Sequence, residues 1–128
     1  MSLKVDFSEH FTELMEGLSE REQEILGELT CHLEEKGFNA LPGRNKQSNT
    51  FSPNFLGRKR TEAEKFAVEH KLWHYHVGYF RYSTLSRRGD WTSEFVVHYQ
   101  NLSNTFIRFV HYSSHSPAFR NPTANCLV

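Results

Sequence analysis

The sequence predicts a single α+β domain, with a helical N-terminal third followed by a small antiparallel sheet that is basic and rich in histidine. Three observations carry this. Up to Lys36 the apolar residues recur at three- and four-residue spacing. From Lys71 onward they alternate with polar ones, the period of a strand. The charge also changes sign: residues 1–38 hold three bases (Lys4, Arg21, Lys36) against ten acids, a net of −7, and residues 39–128 hold the other twelve Lys and Arg against five acids, a net of +7. The overall charge of zero therefore conceals two unlike parts, and six of the eight histidines (His70, His74, His76, His98, His111, His115) lie in the basic one. Such asymmetry points to a basic working surface, which attracts phosphates by releasing their counterions.

Element by element, Leu3 to Asp6 reads as a short edge strand. Ser8 reads as a helix N-cap with Phe7 as its staple residue, and Phe11, Leu14, Met15 and Leu18 make the apolar stripe that follows. Ser19 and Glu22 form a capping box for a second helix, whose apolar face is Ile25, Leu26, Leu29 and Leu33 and whose end is marked by Lys36 and Gly37. Residues 8–36 thus predict a helical hairpin. Residues 40–60 predict a basic loop, with Pro42, Gly43, Pro53 and Gly57 and the bases Arg44, Lys46, Arg58, Lys59 and Arg60. A loop of that length is often functional. Thr61 and Glu64 predict a capping box opening a short helix to about His70, with Phe66 and Ala67 inward.

The antiparallel sheet is expected over 71–112. Trp73, Tyr75, Val77 and Tyr79 share one face of its first strand, with His74 and His76 on the other. A polar turn with Arg87, Arg88 and Gly89 leads to a second strand at Glu94–Gln100, a hairpin loop at Asn101–Asn104 and a third strand at Thr105–Tyr112. Residues 113–128, including His115, Pro117, Arg120 and Pro122, predict a polar tail. All of this fits one domain over 1–128.

Cys31 and Cys126 form no CxxC pair and no disulfide framework, which suits a reducing compartment. There is neither a run of about 18 apolar residues nor the basic-then-apolar start of a secretory signal. A cytoplasmic protein without membrane contact is the expectation.

The segment Leu72-Trp73-His74-Tyr75-His76-Val77-Gly78-Tyr79-Phe80-Arg81-Tyr82 carries a resemblance. A strand with basic residues at alternate positions, then glycine-x-aromatic-arginine (Gly78-Tyr79-Phe80-Arg81), resembles the RelE/ParE-like toxins of bacterial toxin–antitoxin modules. So does the order strand, helical hairpin, three antiparallel strands. The 40–60 loop is longer than usual for that family, and histidine stands where arginine or lysine is common.

The resemblance implies a RelE-like fold and a toxin that cleaves messenger RNA at the ribosome without metal or other cofactor, held in check by a cognate antitoxin. Cleavage by 2′-hydroxyl attack needs a base, an acid and positive charge for the phosphate. Histidine titrates near working pH and arginine grips phosphate with two donors. If the strands pair as in the family, His74, His76, His98 and Arg108 share one open face with Arg81 at its end. His76 or His98 is then the acid or base, with His74 and His111 as further candidates and Arg81 and Arg108 holding phosphate. Arg58, Lys59, Arg60, Arg87 and Arg88 would contact the RNA backbone.

The same residues have plainer readings. His74 and His76 can be half-exposed strand residues, Arg58-Lys59-Arg60 a solvated cluster, and Trp73, Tyr75 and Tyr79 core rather than base-stacking platforms. His74, His76 and His98 match the ligand count of a catalytic zinc, but no carboxylate or cysteine stands at a familiar spacing, so no metal is expected. A ParE-like gyrase inhibitor and a non-catalytic interaction module are the alternative functions.

Overall fold

Ser8 shows how closely local chemistry sets this chain. The computed structural model describes residues 3–48, 57–114 and 122–128, with Lys59 described by its backbone alone. The first strand, β1 (Lys4–Phe7), ends where the Ser8 hydroxyl accepts the Phe11 N–H, capping helix α1 (Glu9–Glu16). Phe7 packs on Phe11 with ring centroids 5.4 Å apart, a contact to N3 rather than to the N4 residue that a hydrophobic staple uses. Ser19 and Glu22 then close the capping box of α2 (Glu20–Lys36). Gly37 ends that helix at φ 64°, a left-handed conformation natural to glycine, and returns its N–H to the Leu33 carbonyl.

The predicted basic loop is not all loop. Asn45–Gln47 forms a three-residue strand, β2, and helix α3 (Arg58–Glu69) already begins at Arg58. The Thr61/Glu64 capping box is absent: the Thr61 hydroxyl donates back to the Gly57 carbonyl, and Glu64 pairs with Arg60 at 2.7 Å. Gly57 takes the N-cap place with no side-chain cap. Phe66 and Ala67 do face inward as expected, and Ala67 is fully buried.

Strand β3 (Leu72–His76) is followed by β4 (Phe95–Ser103) and β5 (Phe106–Ser114). The last two run further than the periodicity indicated, and their connection shrinks to a turn at Asn104–Thr105. The five strands form one sheet in the order β1-β5-β4-β3-β2. The sheet is mixed rather than antiparallel, because β1 runs parallel to β5. α1 and α2 intervene between β1 and the later strands, so β1 is free to dock in either direction. Within the predicted polar tail, Ala124–Leu127 makes a 3-10 turn with Cys126 buried. Met1, Ser2, the stretch 49–56, and residues 115–121 with His115, Pro117 and Arg120 lie outside the described residues. No described helix is long and apolar enough to cross a membrane.

The sheet separates two cores. On one side Phe11 of α1 and Leu26, Leu29 and Leu33 of α2 pack on Tyr75, Val97, Tyr99, Ile107, Phe109 and Tyr112. Trp73 and Tyr79 border this core, as their shared face predicted. On the other side Ala67 of α3 packs on Leu72 and Val110, with Phe66 and Leu127 beside them. Val110 lies on that side with Arg108 two residues before it, and the β4–β5 register shift that skips it, from His98 opposite His111 to Tyr99 opposite Phe109, puts His111 on the same side.

Candidate functional site: a histidine row across the sheet

The register aligns the histidines. On the α3 side of the sheet, one cross-strand rung reads Lys46, His74, His98, His111. His76 lies on the next rung of that face, two residues along β3. Gln100, Arg108 and Asp6 line up on the rung beyond the other side of the row. Neighbouring imidazoles are close: ring centroids stand 6.0 Å apart for His76 and His74, 6.4 Å for His74 and His98, and 5.6 Å for His98 and His111. A fifth histidine, which periodicity did not single out, completes the row. β1 stops opposite Phe109, so α1 begins beside the second half of β5, and His10 Nε2 meets His111 Nδ1 at 3.0 Å.

The face that carries the row is not open. His98 has no exposure, and His74 and His76 retain 4 % each. Each is anchored by a serine. His74 Nδ1 lies 2.9 Å from the Ser48 hydroxyl and His98 Nε2 2.7 Å from that of Ser113. His76 Nδ1 meets both the Ser93 carbonyl (2.7 Å) and the Ser93 N–H (3.0 Å). One nitrogen cannot satisfy both, and the shorter contact favours a protonated Nδ1 donating to the carbonyl. His111 is only half-buried. Burial and the neighbouring His10 both hold its pKa below the ordinary imidazole value, so it is a neutral ring at physiological pH.

The predicted cations divide between the two sides. Arg108 joins the histidine face but is engaged: its Nε donates to Asp6 at 2.9 Å and it lies over the Phe106 ring. Arg60 is paired with Glu64, and Arg58 is exposed at the start of α3; the Lys59 side chain lies outside the described residues. Arg81 is not brought to the end of the histidine row. It lines a cavity of about 380 Å³ on the helix side of the sheet, with Arg21, Glu28, His32, Tyr75 and Tyr82. Arg88 lies near the same two tyrosines, and Arg87 near Asp90.

That cavity is braced by a relay of hydroxyls. The Gly43 N–H donates to Tyr75 Oη, which donates to Tyr82 Oη, which donates to the His76 carbonyl, at 3.1, 3.0 and 2.7 Å. Burial pushes both phenols up, so they stay protonated donors. Gly43 has to be glycine here, since a Cβ would fall on the His76 carbonyl and within 2.9 Å of the Tyr75 ring. Arg44 adds a two-point contact to Asp90, at 2.7 and 3.2 Å, fastening this loop to the turn before β4.

No protein-family model matches the chain, and neither curated proteins nor solved structures contain a significant match.

Proposed function

We propose that the chain is the RelE-like toxin of a toxin–antitoxin module and cleaves messenger RNA on the histidine face of its sheet. The observation that carries this reading is the alignment of His74, His98 and His111 on one rung, with Lys46 at one end and His10 at the other. Three of the five imidazoles are buried on serine partners, while His10 and His111 remain partly exposed. They supply proton donors and acceptors beside a cationic edge, which is what 2′-hydroxyl attack on a phosphodiester requires. The strand and two helices at the start and the three antiparallel strands at the end, with β2 and α3 between them, also support it, as does Gly78-Tyr79-Phe80-Arg81 shortly after β3.

Burial sorts the roles. His74, His76 and His98 act as positioning residues behind the surface, while His111, with Arg108 and Lys46, touches RNA. The ribosome would present the substrate. An acidic antitoxin segment would cover the groove that Arg81 lines and the nearby Arg88. The burial of His74, His76 and His98 favours a second reading, a non-catalytic interaction module whose histidines only knit the sheet.

Brief induction from a tightly repressed promoter, with RNA 5′ ends mapped beside His111→Ala and Arg108→Ala, tests this. New ends inside translated frames that vanish in both variants are the expected result. Growth arrest with intact RNA would instead indicate gyrase inhibition in the ParE manner. Normal growth with intact RNA would leave the interaction module.

A further inference from the structure

The geometry points to a metal site at the edge of β5, formed by His10, His111 and Cys126 and suited to a divalent cation of the zinc class. The three ligands come from three separate elements: α1, β5 and the C-terminal 3-10 turn. Their donor atoms all lie within 4.8 Å of one another, and among the described residues this is the one place where three such ligands meet. Tetrahedral bonds of about 2.0–2.1 Å to nitrogen and 2.3 Å to sulfur would set the nitrogens roughly 3.3 Å apart and each roughly 3.6 Å from sulfur. The nitrogens already stand at 3.0 Å. An inward shift of about an ångström at the sulfur completes the triangle. Two imidazoles and a thiolate are soft enough to select zinc, cobalt or copper over magnesium or calcium.

Several features prepare the donors. Cys126 is buried, with the Thr123 hydroxyl 3.6 Å from its sulfur, and its carbonyl accepts the Ser8 hydroxyl at 2.8 Å, which fixes the turn against α1. Binding displaces the proton now shared between His10 Nε2 and His111 Nδ1 to the far nitrogen of one ring. The thiol proton leaves to solvent. Three protein ligands leave a fourth position for water or another group, and because His10 and His111 are half-exposed it faces outward. The bound ion would pin the C-terminal turn to the sheet.

The site shares His111 with the ribonuclease reading but does not depend on it, and it is tested without RNA. Cobalt(II) is titrated into the chelator-treated full chain carrying Cys31→Ser, which removes the exposed thiol and leaves Cys126 as the only one. One equivalent should give a thiolate-to-cobalt charge-transfer band with the visible bands of a tetrahedral ion, and zinc should abolish both. His10→Gln alters a half-exposed helix position; it should lose the band and weaken zinc by more than the roughly 10–100-fold that an outer-shell change costs. The site is refuted if cobalt binds without a thiolate band, if the band survives His10→Gln, or if no stoichiometric binding occurs. Cobalt bound without the band but lost in His74→Asn would move the ion to the middle of the row.

Discussion

Ser8 carries two duties in one hydroxyl. It accepts the Phe11 N–H at 3.1 Å, capping α1, and donates to the Cys126 carbonyl at 2.8 Å, tying the C-terminal turn to the other end of the chain. The cap was legible from the residue type and the stripe that follows it. The second bond spans 118 positions and no local pattern signals it. Losing a cap costs about 1 kcal/mol, and a buried carbonyl stripped of its donor about 1–3 kcal/mol more. Ser8→Ala should therefore destabilise the protein by about 2–4 kcal/mol in urea unfolding. Ser8→Asp restores the acceptor and not the donor, so it should recover only the cap. Equal stability of Ser8→Ala and the parent would mean that the turn is held elsewhere. The histidines show the same divide: the alternation of His74 and His76 was plain, whereas their alignment with His98 and His111 depends on register, and the meeting with His10 on where β1 stops.

At the scale of elements, those with their own start and stop signals were legible and those defined by a neighbour were not. α1 and α2 were readable because Ser8, Ser19 with Glu22, and Gly37 mark their ends. β2 has three residues and exists only because Lys46 and its neighbours pair with β3. The start of α3 was misplaced because Thr61 and Glu64 match a capping box by spacing while serving Gly57 and Arg60 instead. The junction between β2 and the turn before β4 offers a test. Hydrogen bonding to Arg44, with the charges of Arg44, Arg87 and Lys46, holds the Asp90 carboxyl below its usual value. A depressed folded-state pKa stabilises above the unfolded carboxylate value, about 3.9, and that contribution disappears as the pH falls through the folded value. The stability advantage of the parent over Asp90→Asn should thus be level from neutral pH to about 5 and shrink below it. Thermal melts across that range measure it, and a difference that stays level into strong acid would show that the pair does not form.

For the whole molecule, the question is which face meets a polyanion. The acidic α1 and α2 cover one side of the sheet, and α3 and the histidine row occupy the other. Net charge alone cannot choose between the sides, because Arg81 and Arg88 border the helix-side groove while Lys46, Arg58 and Arg108 belong to the histidine side. If the row performs the chemistry, its phosphate contacts must be on its own face. Single-stranded nucleic acid loses affinity with salt at a slope of about −0.7 per phosphate contact. Replacing Lys46, Arg58 and Arg108 together by alanine should therefore flatten the slope for a short RNA by about 2. Replacing Arg81 and Arg88 should leave it unchanged, since those bases serve the antitoxin in this scheme. Fluorescence anisotropy over a range of salt reads both. The opposite pattern would put RNA in the Arg81 groove, beyond the reach of every imidazole in the row, and the histidines would then be structural.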